Sequence, residues 1–175
     1  MSENDMDVAS EGLNTPLVWR KGWTEAALDL PAGPLSQLFQ YWDGLRGGRD
    51  FPSRQDIDPE GMASVLRNVI LVEALPDGDW LYRVAGSHVV EGVGMEVSRR
   101  RLSELAEFMA ADRLKRQFDA FRADPVPEFT VRSSPWRLRD WTVYSRLILP
   151  IGVGGRLTHI LGAIQFKDTR PIPQV

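Results

Sequence analysis

The chain has 175 residues, enough for one ordinary domain and an extension, and 43% of them are hydrophobic, as suits a packed globular core. With 21 basic and 24 acidic residues the formal charge is −3, so no global field draws the chain to nucleic acid or to an anionic membrane. The lack of cysteine excludes disulfides, thiolate metal sites and a cysteine nucleophile.

Residues 1–14, MSENDMDVASEGLN, are acidic and polar and are expected to be disordered. They lack the basic start and apolar run of a secretory signal, and no stretch approaches the ~20 apolar residues of a membrane span. A cytoplasmic protein with neither a membrane nor a nucleic-acid partner is the expectation. The tract 16–32 carries Trp19 and Trp23 and is expected to pack. The chain therefore divides into a largely disordered or loosely packed extension (1–32), a folded domain with a flanking helix (33–168) and a short tail (169–175).

PLSQLFQYWDGLR, residues 34–46, reads as a helix: Leu35, Leu38, Phe39, Trp42 and Leu45 make one apolar stripe. Pro34 suits its first turn and Gly47 its C-terminal cap. A second short helix starts at Asp58-Pro59, where Asp58 can accept from orphan backbone N–H groups. NVILVEA (68–74), the turn 76–79 and WLYRVAG (80–86) read as a β-hairpin. Residues 86–101 are irregular, with one short helix near 88–92. A longer helix spans about 110–123, with Leu114, Phe118 and Phe121 on one face, and Asp124-Pro125 ends it. Three strands follow: PEFTVR, WTVYSRLILPI and LTHILGAIQF, the last two joined by a turn at 152–155. The tail PIPQV does not suit a sheet interior.

This order predicts an α/β fold, with a five-stranded antiparallel sheet, helices inserted between its second and third strands, and an N-terminal helical extension. WTVYSRLILPI is apolar in both registers. Val143, Leu147 and Leu149 lie on one, Tyr144 and Ile148 on the other, and the closing strand behaves alike. Two apolar faces need two covers. The inserted helices supply one and the helix 34–46 the other.

The run YWDGLRGGRDFPSRQDIDPEGM, residues 41–62, concentrates polar residues. Arg46, Arg49 and Arg54 suit an anion, since guanidinium forks match carboxylate and phosphate. They equally suit a structural joint in which they pair with Asp50, Asp56 and Asp58. The balanced local charge favours the joint. His88 and His159 are the only histidines, and neither has a second ligand at metal spacing, so no metal site is expected. No Gly-x-Ser-x-Gly turn is present, and VGGR (153–156) is a hairpin turn that opens no helix. The triple Arg99-Arg100-Arg101 reads as a solvated face.

The combination of Tyr41-Trp42, Arg46-Gly47, Arg49, Pro52, Arg54, Asp56, Asp58-Pro59, then Tyr82-Arg83 and Ala85-Gly86, resembles a family of small, mostly single-domain PAS-like bacterial proteins. LILPI and ILGAIQF resemble its closing strands, so the resemblance runs from about Leu35 to Phe166. One departure stands out. The family often carries Gly-Arg-x-x-x-Gly after the second strand, whereas Gly94-Met95-Glu96-Val97-Ser98-Arg99 lacks both the arginine and the closing glycine.

The resemblance implies a non-catalytic sensory or protein-interaction module in cytoplasmic signalling that acts through a partner protein. It also implies a homodimer paired through the N-terminal segment. The alternative is a small enzyme whose sheet cups a substrate pocket. A third reading is a structural adaptor with a filled core. Without cysteine, a flavin–cysteine adduct and a thioester-linked chromophore are unavailable. A non-covalent small-molecule ligand stays open and no cofactor is identified. The candidate ligand-binding residues are Arg83, His88, Gly162 and Ile164, His88 lying just after the second strand, near where PAS cavities open.

Overall fold

The computed structural model describes residues 16–133 and 142–168. The expected disorder of residues 1–14 and the tail at 169–175 lie outside the described residues. Strand β1 is Val18–Lys21, followed by a one-turn helix α1, Glu25–Leu28, and by α2, Pro34–Arg46. Two 3-10 segments follow, Arg54–Asp56 and Pro59–Asn68, then strands β2 (Val69–Ala74) and β3 (Trp80–Ala85). Helix α3 (Ser87–Val93), a 3-10 turn at Leu102–Leu105 and helix α4 (Ala111–Ala123) lead to β4 (Glu128–Ser133), β5 (Thr142–Val153) and β6 (Arg156–Asp168).

Local chemistry sets several of these boundaries. Pro34 opens α2, where no N–H is needed, and Gly47 leaves it at φ 57°, a left-handed value that glycine adopts without strain. Asp58 caps the second 3-10 segment by accepting from the Glu60 N–H. The expected helix there is a kinked 3-10 run, broken at Met62.

The sheet is antiparallel, with strand order β1-β4-β5-β6-β2-β3. It has six strands, not the expected five. The last five in that order are the predicted ones, with α3, α4 and the 3-10 turn inserted between β3 and β4. The additional strand comes from the stem before α2, where Val18 to Lys21 pairs with Val131 to Glu128. Four residues with no clean alternation of apolar and polar side chains carry too little pattern to announce a strand. Pairing with β4 supplies the order.

Both faces of the sheet are covered. On one, Tyr144, Ile148, Ile160 and Ile164 pack against Val89, Val93, Leu114, Phe118 and Phe121 from α3 and α4. On the other, Leu147, Leu149, Leu161 and Ala163 pack against Leu35, Leu38, Phe39 and Trp42 of α2. These four α2 side chains are buried. At ~1.5–3 kcal/mol each they contribute about 6–12 kcal/mol as an upper bound, comparable with the net stability of a whole domain at ~5–15 kcal/mol. Helix α2 is therefore an integral layer of the domain. Among the described residues no helix is long and apolar enough to cross a membrane.

Candidate functional site

The polar run 41–62 folds into a clamp around the end of α2. The Tyr41 hydroxyl donates to the Asp58 carbonyl at 2.9 Å and accepts from the Asp58 N–H at 2.8 Å. Gly61 lets that ring approach, since a Cβ there meets Tyr41 at 2.5 Å. The Trp42 indole N–H donates to the buried Pro150 carbonyl at 2.9 Å. The Arg49 side chain donates to the carbonyls of Leu45 and Arg46 at the C-terminus of α2, where the Arg46 carbonyl also accepts from the Arg49 backbone N–H, and it pairs with Asp56 at 2.8 Å. Asp56 also accepts from the Ser53 N–H and hydroxyl. Hydrogen bonds from Ser53 and then Arg49 hold its carboxyl below the usual range.

Two expected pairings differ. Arg46 joins Asp43 and lies over the rings of Trp23 and Trp42, and Asp58 is engaged as a cap. Arg54 is exposed, with no ion pair to any aspartate among the described residues. The clamp continues to the closing hairpin, where the Gly152 N–H donates to the Pro52 carbonyl at 3.0 Å. A surface cleft of about 380 Å³ lies between residues 48–53 and Gly152–Gly155. The one guanidinium lining it, Arg49, is already engaged three ways.

The departure at 94–99 has a conformational signature. Gly94 ends α3 at φ 87°, and Arg99, at the end of the segment that departs from the expected pattern, is held at φ 64°. The backbone is left-handed at Arg99 although its side chain disfavours that conformation.

The four candidate ligand residues divide between the two sides of the sheet. Gly162 and Ile164 face the α3/α4 side, in register with Ile148 and Arg146 of β5. His88 reaches that side from α3, its ring tilted against Phe166 and its Nε2 accepting from the Phe166 N–H at 3.4 Å. Arg83 lies on the opposite side, exposed and paired with Glu73. A Cβ on Gly162 meets the Leu147 carbonyl at 2.8 Å, so this glycine serves close strand packing.

On the α3/α4 side the structure reveals a polar group that the hydrophobic pattern concealed. Arg146 of β5 is only 2% exposed. Its guanidinium lies over the Phe118 ring at 5.8 Å, and Nη2 is 3.9 Å from a Glu128 carboxylate oxygen. Its Nε and Nη2 have no hydrogen-bond partner. Directly across the β4–β5 ladder, the buried Thr130 hydroxyl also lacks one. So do the amide nitrogen and oxygen of Gln117 on α4, next to Phe118. Each buried polar group left unmade costs ~1–3 kcal/mol, and more if charged, so unpartnered groups of this kind in a native core ask for a reason.

Arg113 and Arg132 are half-buried and lie within electrostatic reach of Arg146. Burial first, and the Arg146 charge behind it, hold the Arg132 guanidinium below its ordinary range. Burial does the same at Arg113, where Tyr144 acts the other way and Arg146 adds to the lowering. The sequence did carry the signal. Arg146 stands between Tyr144 and Ile148, so the period of two that sends those side chains inward sends Arg146 with them.

No group of three histidine, aspartate or glutamate residues suited to a metal ion occurs among the described residues. No curated protein and no solved structure shows a significant match to the chain. A family model described as a PAS domain matches residues 32–165, which spans α2, the clamp, the inserted helices and all but the end of the closing strand. With that match and the five-stranded core in its place, the chain belongs to the PAS domain family.

Proposed function

We propose that the chain is a non-catalytic sensory or interaction module of cytoplasmic signalling, which pairs with a second copy of itself and passes its state to a partner protein. The observation that carries this reading is the stem. Strand β1 is at the edge of the sheet, and its neighbourhood exposes large apolar side chains, Leu17 at 64% and Trp19 at 56%. An exposed edge strand with aromatic surface is a template for association. The apolar stripe of α2 is spent on the sheet, so the stem, not that stripe, is the surface offered to a second copy.

Asp56, Asp77 and Glu96 are all pulled down, chiefly by hydrogen bonds from Ser53, Arg101 and Ser98 respectively. This is the pattern of surface caps and pairs. Light scattering over a concentration series tests the pairing. Wild type is expected at the mass of two chains and Trp19→Glu at one. A wild-type mass of one chain at every concentration overturns the homodimer. Deleting residues 1–32 is a poor test, because it also strips β1 from the sheet.

A further inference from the structure

We propose that the buried Arg146 guanidinium anchors a site for a small organic carboxylate, between α4 and the β4–β5 ladder. This rests on the reading of the chain as a sensory module and names the chemistry that the module senses. The two unpartnered nitrogens, Nε and Nη2, lie on one edge of the guanidinium plane. That edge presents parallel N–H bonds matched to the two oxygens of a carboxylate. Glu128, at 3.9 Å, offsets charge without reaching hydrogen-bond distance of that edge.

The neighbours narrow the class further. The Thr130 hydroxyl faces the same side, directly across the ladder from Arg146. On α4, one residue before the Phe118 that lies against the guanidinium, Gln117 carries an unpartnered donor and an unpartnered acceptor. An acceptor calls for a hydrogen donor on the ligand, which a fully ionised oxyanion lacks. An organic acid that also carries a hydroxyl, amino or amide group answers both. Phe118 beneath the guanidinium and Ile164 across the β5–β6 ladder supply apolar surface for its body. Ile164, named from the sequence as a ligand residue, thus lies next to the anchor.

The test is calorimetric and thermal-shift titration of the full chain with lactate, 4-hydroxybenzoate and L-glutamate, with inorganic phosphate as contrast. At least one acid is expected to bind saturably and raise Tm. Arg146→Met is expected to weaken that binding on the order of 10–100-fold, as loss of a charge-assisted pair does. Its ligand-free Tm is expected at or above wild type, because methionine removes a buried charge while filling much of its volume. If Arg146→Met does not fold, Arg146→Lys keeps the charge, loses the fork and is expected to show the same weakening. No binding by any of the three acids, binding undiminished in the variant that folds, or saturation by phosphate alone overturns the proposal. None of these outcomes changes the mass measured by light scattering, so the module reading stands or falls separately.

Discussion

Trp42→Phe probes the layer that α2 adds to the sheet. The indole is fully buried, tilted against Phe39 at 5.7 Å and stacked with Trp23 at 6.5 Å, and its N–H donates to Pro150 across the core. Phenylalanine keeps a ring in place but removes the donor and leaves the buried Pro150 carbonyl unpaired, a loss of ~1–3 kcal/mol. The smaller ring adds a void worth about 1 kcal/mol. The sum, about 2–4 kcal/mol, corresponds to a fall in Tm of about 4–16 °C at ~2–4 °C per kcal/mol for a chain of this size. Thermal unfolding followed by circular dichroism measures it. A fall of less than about 1 °C refutes the assignment of α2 to the core.

Four further outcomes are expected. Arg99→Gly relieves the left-handed backbone at φ 64° and should raise Tm by about 1–4 °C in a thermal-shift assay. Gly86→Ala drives a Cβ into the backbone of Leu66 and Arg67, which cannot swing aside, and should lower stability in urea unfolding by at least ~1–3 kcal/mol. Arg54→Ala should leave Tm unchanged within about 1 °C, because this arginine makes no ion pair with the aspartates of its motif. Burial lowers the His159 pKa below its ordinary 6.5, Glu73 opposing and Arg54 and Arg83 assisting. The unfolded chain therefore binds the proton more readily, and stability is full above pH ~6.5 and declines as pH falls from there towards the lowered folded value. His159→Gln should flatten that part of a Tm–pH profile.

Strong periodicities made much of the fold legible in the sequence. Leu35, Leu38, Phe39 and Trp42 recur at helical spacing and are the residues that α2 buries. Tyr144, Leu147, Ile148 and Leu149 alternate between the faces that the two registers assign them. Strand β1 was not legible, because its order comes from pairing with β4 over 100 residues away in the chain. Within the polar run, charge balance anticipated the Arg49–Asp56 pair but not the separate engagements of Arg46 and Asp58, which depend on where α2 ends and the 3-10 segment begins. The candidate ligand set split for a similar reason: Arg83 and Tyr82 are neighbours in sequence, yet adjacent positions on a strand face opposite sides. Arg146 was readable by the same rule, though its lack of partners depends on α4 and β4 arriving around it.

Native mass spectrometry of the full chain purified from its own host tests the account most directly, since it reports both copy number and any retained molecule. The expected spectrum shows two chains, with added mass of a small organic acid that disappears in Arg146→Met. A spectrum of single chains with nothing bound, at concentrations where the wild type is fully folded, contradicts it.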